Sequence, residues 1–598
     1  MVLVPTAEVA RLASTAIDLT LDGLAASLAS NDEPLEDLLA SERLLPSAAV
    51  GADGSFRFEP VPDGEAFVVY VPAADDALHL PGGELARTPF AAESLRGATL
   101  ELRVSGAPSA RARYIGSASC LNCHARHSLF ASGHALTLRV PGVSSPHQEL
   151  SAGARIDEAL GAFVADAQLY FSDCGAGPLQ ASDCRVSTSP PAAPAQLRVR
   201  LGRDPTLRPD EVGSYFVELS SAAGAVQRHP LALTLGGSRG VQQFVVRSAL
   251  AGGGFTHFVL PFSYQLAGDD ARLAAADQRW VAYRLQDWLE LASGALRTPD
   301  NANAFERQCA GCHSTGFVAR GSAIEGYRGS AVAEPDGVYD LDGDGRKELL
   351  AVGCEACHGP GSEHLELVPR GQRIVSPGLL TPERQSLLCG VCHARHLGKG
   401  GEQAPLDEML RMPRAGTSRA AFLAQHVSRI ESSEQTLFPT GDAKVRYQQY
   451  GDFLRSPKYR SAKLLVTCSD CHDAHRGAGH VSDLRQPKSN ESCAACHAAQ
   501  RDVTSHVAAS IRFPHDVGVH PELLTCTQCH MVKSATSGAR SLALRDATDP
   551  DPARHQQYLH GDRASHRFVF VDRSHAAEQP VAATLGCAPC HGELLPVP

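Results

Sequence analysis

Residues Gly353 to His364 read GCEACHGPGSEH, and this stretch decides how the chain is organised. Cys354 and Cys357 flank two residues and His358 follows at once. That is the spacing of c-type haem attachment, in which two thiols form thioether bonds and the imidazole supplies an axial nitrogen. The same pattern begins at Cys120 (CLNCH), Cys309 (CAGCH), Cys389 (CGVCH), Cys468 (CSDCH), Cys493 (CAACH), Cys526 (CTQCH) and Cys587 (CAPCH). Eight copies predict eight covalently bound haems. The attaching thiols are Cys120 and Cys123, Cys309 and Cys312, Cys354 and Cys357, Cys389 and Cys392, Cys468 and Cys471, Cys493 and Cys496, Cys526 and Cys529, and Cys587 and Cys590. The proximal ligands are His124, His313, His358, His393, His472, His497, His530 and His591. Structural zinc would need paired four-ligand half-sites and would leave the histidine that closes every copy unexplained.

Only Cys174 and Cys184 of the 18 cysteines stand outside the motifs, and a disulfide between them is expected in an oxidising compartment. Haem attachment also belongs outside the cytoplasm. The chain is therefore expected in the periplasm or at the cell surface, although no export signal is legible. Asp18 and Asp22 interrupt residues 1–30, so the start is read as trimmed or mis-assigned. A net charge of −11 argues against nucleic acid and anionic lipid as partners and favours a basic soluble electron carrier. Aromatic residues make up only 6% of the 598 residues, so haem macrocycles must supply apolar filling, and the apoprotein is expected to be largely unfolded.

Four regions follow along the chain, a multidomain arrangement. Residues 1–105 carry no cysteine. Between Gly51 and Pro72, GADGSFRFEPVPDGEAFVVYVP alternates apolar and polar residues around two Asp-Gly turns. This stretch resembles the carboxypeptidase-regulatory-like, Ig-like β-sandwich, which implies a spacer or binding module. Residues 106–162 form a first haem-binding segment. Residues 163–265 return to β periodicity, with Leu197, Val199 and Leu201 and then Leu231, Leu233 and Leu235 alternating, and are expected to form a small antiparallel insert. Residues 266–598 are expected to be mainly α and loop-rich, with seven motifs spaced 45, 35, 79, 25, 33 and 61 residues apart, too uneven for a tandem repeat.

The sixth ligands decide the chemistry. Four methionines stand against 26 histidines, 18 of them outside the motifs, so bis-histidine ligation and low potentials are expected at most irons. His127, His396 and His475 each lie three residues after a motif histidine, a reach of roughly 10 Å, and cannot round their own macrocycle. His364, six residues after His358, is also better placed for a neighbouring haem. GSASCLNCHARHSLFASGHA, QCAGCHSTG, GCEACHGPGSEH, LCGVCHARH, YGDFLRSPKY with VTCSDCHDAH, ESCAACH and TCTQCHM resemble, in this order, the multihaem cytochromes related to hydroxylamine oxidoreductase and its tetrahaem electron acceptor. The resemblance covers residues 114 to about 575 and implies distal ligands at His134, His364, His475, His515 and His566. His506, His396 and His575 are further candidates, weighed against solvated surface histidines. The motif at Cys587 lies beyond the matched part.

Asp340, Asp342, Asp344 and Glu348 in DLDGDGRKE place oxygen donors at loop positions 1, 3, 5 and 9 with Gly345 at position 6, a calcium-loop pattern. Position 12 is Ala351, so the loop is not a full EF-hand, and a solvated acidic turn is the alternative. The function expected is low-potential electron transfer with other cytochromes or membrane electron-transfer complexes as partners. Two alternatives stand beside it. One is an oxidoreductase of nitrogen or sulfur compounds with one open haem, against which the absence of a CxxCK motif counts; Tyr447 and Tyr450 match no cross-linking tyrosine. The other is a homo-oligomeric, extracellular cytochrome filament.

Overall fold

A computed structural model describes residues 102–127, 132–142, 159–174, 184–236, 241–265, 279–334, 337–366, 373–430, 447–459, 466–475, 484–486, 490–510, 525–535 and 563–569, with short pieces at 2–5, 56–57, 66–71, 78–83, 90–91, 93, 437 and 441–443. Three short strands lie near the N-terminus: β1 (Val2–Pro5), β2 (Ala66–Tyr70) and β3 (Phe90–Ala91) form an antiparallel sheet in that order. Most of the rest of the region expected as a sandwich lies outside the described residues.

The main sheet contains β4 (Leu138–Arg139), β5 (Gln168–Ser172), β6 (Arg185–Ser187), β7 (Leu197–Arg203), β8 (Tyr215–Ser221), β9 (Val226–Gly236), β10 (Val241–Ala249), β11 (Phe255–Gln265) and β12 (Trp280–Ala282). Its order is β12-β11-β10-β9-β8-β7-β5-β6, with β4 beside β9. Every pairing is antiparallel. The end strands β12 and β6 lie against each other, so the sheet curls toward closure. Leu197, Val199 and Leu201 of β7 are fully buried while Arg198 is exposed, the period-two burial of a strand with one core face. Phe163, Phe171, Phe244, Phe262 and Trp288 fill the interior. The sheet is larger than the expected insert, because it takes Leu138–Arg139 from the first haem segment and runs on to Ala282. Cys174 and Cys184 form a disulfide at the ends of β5 and β6.

A buried polar chain ties this sheet to the motif region. His257 of β11 sets Nδ1 2.5 Å from Glu306 Oε1 and Nε2 2.7 Å from the Tyr339 hydroxyl, and Thr256 donates to Glu306 Oε2. Glu306 lies on the helix Phe305–Gln308 directly before the motif at Cys309, and Tyr339 directly precedes the acidic loop.

The remaining described elements are two-stranded antiparallel pairs and short helices, and each of the seven described motifs overlaps one of these helices. The longest, Pro382–His393, starts where Thr381 Oγ1 accepts from Arg384 N and Pro382 fills the first turn, and it ends on CGVCH. It crosses the helix Gln449–Leu454 at Gly390, where an added Cβ would stand 2.7 Å from the Tyr450 ring. Around these helices Leu387, Phe422, Tyr450, Phe453 and Leu454 form a modest core. No helix among the described residues is long and apolar enough to cross a membrane.

Candidate haem-binding centre

The centre is assembled by carboxylates that reach across long stretches of sequence. Glu355, inside the third motif, is buried and accepts hydrogen bonds from Ile115 N, Gly116 N and Gly361 N. Glu334 accepts from Ser117 N, so two carboxylates meet the N-terminal end of the helix Ser117–His124, where partial positive charge favours them. Ser117 Oγ in turn accepts from Cys354 N at 3.1 Å, and Glu363 accepts from both Ser109 N and Ser109 Oγ. The first and third motifs are thereby fixed against each other. Burial raises the Glu355 carboxyl above the usual range, opposed by the three backbone donors.

Sulfurs from different motifs meet. The thiols stand where the thioether sulfurs of attached haems belong. Cys120 is in hydrogen-bond contact with Cys354, Cys312 with Cys392, Cys389 with Cys468, and Cys493 with Cys526. Cys357 also lies near Cys392, and Cys471 near Cys496. Further bonds hold this array: Gln385 Nε2 donates to Ser469 Oγ at 2.7 Å, and Asn490 Oδ1 accepts from Cys526 N at 2.7 Å. The seven described motifs therefore form one connected set in which the fourth touches the second, third and fifth.

Imidazoles face one another across this set. Ring centroids are 6.2 Å apart for His124 and His364, 6.0 Å for His358 and His475, 6.2 Å for His393 and His134, 6.2 Å for His472 and His566, and 6.4 Å for His530 and His506. A metal–imidazole bond of about 2 Å places two rings on opposite sides of one ion with centroids roughly 6 Å apart. Four pairs lie within 30° of parallel, whereas His134 and His393 cross at 78°. In each pair one ring closes a motif and the other comes from elsewhere, and His475 and His364 both face motifs other than the one they follow.

The ring chemistry suits a metal ligand. Burial pushes the His393 imidazole down to about 3 and that of His566 to about 4, and it lowers His358, His475 and His530 as well, so these rings are neutral with a lone pair available. His358 Nδ1 lies 2.8 Å from Val375 O and His566 Nδ1 3.1 Å from Ala564 O, bonds that place the proton on Nδ1 and turn Nε2 inward. His393 and Cys389 sit deep in the molecule yet keep accessible surface, as groups lining an internal space do. The residues present fit haem.

The other candidates divide. His396 is buried in the small core, with Nε2 2.9 Å from Val391 O and its ring against Phe422. His127 lies beside both His124 and His475. His515, His575, Cys587, Cys590 and His591 lie outside the described residues. In the acidic loop, oxygens of Asp340, Asp342 and Glu348 come within 4.8 Å of one another, while Asp344 is not part of that group and instead accepts from Arg346 N. Burial, then the neighbouring carboxylates, push Glu348 up to about 7.

Sequence reasoning passed over Glu355 and Glu334, whose role depends on contacts more than 200 residues away. It also passed over the buried His257–Glu306 pair, for which a lone histidine in an alternating strand gives no sequence signal.

The motifs, facing imidazoles and clustered sulfurs point to a multihaem cytochrome, and sequence comparison supports that relationship. The chain is 25% identical over 170 residues to the multihaem cytochrome MtrA of Shewanella baltica (strain OS185), a match covering 28% of this chain and 48% of that protein. The chain thus spans about half the length of the curated relative it matches. No protein-family model and no solved structure matches.

Proposed function

We propose that the chain is a low-potential electron-transfer protein that carries eight covalently bound c-type haems outside the cytoplasm and exchanges electrons with other cytochromes. The observation that carries this reading is the set of five facing imidazole pairs, each joining a motif histidine to a second histidine. Bis-histidine ligation saturates an iron and lowers its potential, which suits a conduit. The proposed axial pairs are His124 with His364, His358 with His475, His393 with His134, His472 with His566, and His530 with His506. The sulfur contacts support a route through the first, third, fourth, fifth, sixth and seventh motifs, with the second joining at the fourth. The sheet at β1 to β3 supports an N-terminal β module, and the clustered oxygens of Asp340, Asp342 and Glu348 support a calcium site.

Intact-mass measurement of the purified protein should give eight haems per chain, and EPR of the oxidised form should be dominated by low-spin ferric signals. A count well below eight, or a predominantly high-spin spectrum, would overturn the reading.

A further inference from the structure

Lys458 breaks the pattern of facing imidazoles. Its Nζ lies 2.6 Å from Nε2 of His497, the histidine that closes the sixth motif. Nε2 is the nitrogen a motif histidine offers to iron, and at five other motifs a second imidazole faces that histidine. At the sixth motif the facing group is a primary amine. We propose that Lys458 is the sixth ligand to the iron of the haem held by Cys493, Cys496 and His497, an inference that rests on the haem assignment above.

Three further observations bear on it. First, the backbone around Lys458 is fixed. Ser456 Oγ accepts from Tyr459 N at 3.2 Å, Tyr459 is buried with its ring 5.6 Å from that of Phe453, and Arg455 pairs with the buried Asp452 at 2.7 Å. The segment thus delivers the side chain to one place. Second, the ammonium lies within electrostatic range of haem-binding groups of three motifs: besides His497, these are Cys471, Cys493 and His530. The Phe568 ring stands 5.6 Å away on another side. Third, the direct contact between Nζ and Nε2 cannot coexist with an iron bound to His497, because iron takes the lone pair that now faces the amine. Two nitrogens on opposite sides of one metal stand about 4 Å apart. Lys458 must therefore draw back by a little over 1 Å, which a flexible four-carbon stem allows.

The chemistry balances simply. One Fe–N bond forms, one proton leaves the ammonium for solvent, and the oxidation state of iron does not change. An amine ligand makes this iron different from its bis-imidazole neighbours. It also places at one point of the array a sixth ligand held by a half-buried, flexible side chain rather than by a packed ring.

The test uses the full-length holoprotein with Lys458→Met, Lys458→Ala and Lys458→Arg. Since Lys458 is partly exposed, all three variants should fold and keep the wild-type haem count. Methionine in this place should give the weak red absorption band of a ferric histidine–methionine haem, at one equivalent per chain, and raise one midpoint potential. Alanine and arginine should each convert one low-spin haem to high-spin and open it to one equivalent of cyanide. Arginine keeps the charge but cannot ligate, so a purely electrostatic role for Lys458 predicts a wild-type spectrum for it. Unchanged spin states in the alanine and arginine variants with all haems present would overturn the proposal alone and point to a ligand such as His515. Unmodified Cys493 and Cys496 in the wild-type mass spectrum would overturn the haem assignment itself.

Discussion

On the proposed axial pairing, His364 would serve a haem other than the one its neighbours bind. It follows the third motif by six residues, yet its ring faces His124 of the first. His364→Ala should leave covalent haem content unchanged and convert one low-spin iron to high-spin. Mass spectrometry with EPR checks this, and loss of the haem at Cys354 and Cys357 would contradict the pairing. The crossed rings of His134 and His393 make a second residue-scale prediction, since crossed axial planes give a more axial ferric signal than near-parallel ones. His134→Ala should remove that signal and leave the rhombic ones in place. His229, remote from the motifs, sets a pH dependence. Burial against Trp288 holds its imidazole down at about 4, so the folded chain takes up its proton less readily than the unfolded chain, whose value is near 6.5. Stability from this residue is fully present above about pH 6.5 and is lost as pH falls toward 4, on the order of 2 kcal/mol after solvent screening. Thermal melts of His229→Gln between pH 7 and 4 should show a shallower decline than wild type.

At the scale of elements, the crossing of Pro382–His393 over Gln449–Leu454 depends on Gly390, which doubles as the second residue of CGVCH. Gly390→Ala should force the Tyr450 ring aside and cost about 1–3 kcal/mol, read by denaturation of the holoprotein. This contact also gives Tyr450 a packing role. The acidic loop yields another element-scale test: titration with Ca2+ should show one site per chain, abolished by Asp342→Asn, with heat stability falling on chelation. Strand β7 was legible because leucine and valine alternate with arginine there, the mark of a half-buried strand, whereas β4 and β12 are too short to show a period. The helices were harder to read, since most are four to eight residues long, too short to show a helical period. Motif histidines could be named from five-residue patterns. The rings that face them could not be paired, because which ring meets which depends on folding contacts that no local spacing encodes; Lys458 gained its significance only from position.

The whole molecule divides its apolar burial unevenly. Phe163, Phe171, Phe244, Phe262 and Trp288 give the curled sheet a core made of its own side chains, whereas the described residues after Pro382 pack around a few. Sequence composition suggested a largely unfolded apoprotein, and the sheet core, built from the chain's own side chains, is the part expected to hold without haem. Expression without haem attachment should therefore give a chain whose residues from 159 to 304 resist proteolysis while the C-terminal half is digested, as limited proteolysis with mass spectrometry would show.

The clamp of Glu355 onto Gly116 spans 239 residues, and this has a consequence in time rather than in space. A chain crosses into its final compartment from the N-terminus onward, and haem attachment at CLNCH needs nothing beyond that pentapeptide. The ring proposed to complete that iron, His364, arrives only after the entire sheet has been delivered. Until then the first haem would be held by one imidazole. On the proposed haem assignment the nascent chain would pass through a stage with a five-coordinate iron at the first motif, and that stage would close when the third motif docks. On that reading the long-range closure of this contact would set how long that exposure lasts.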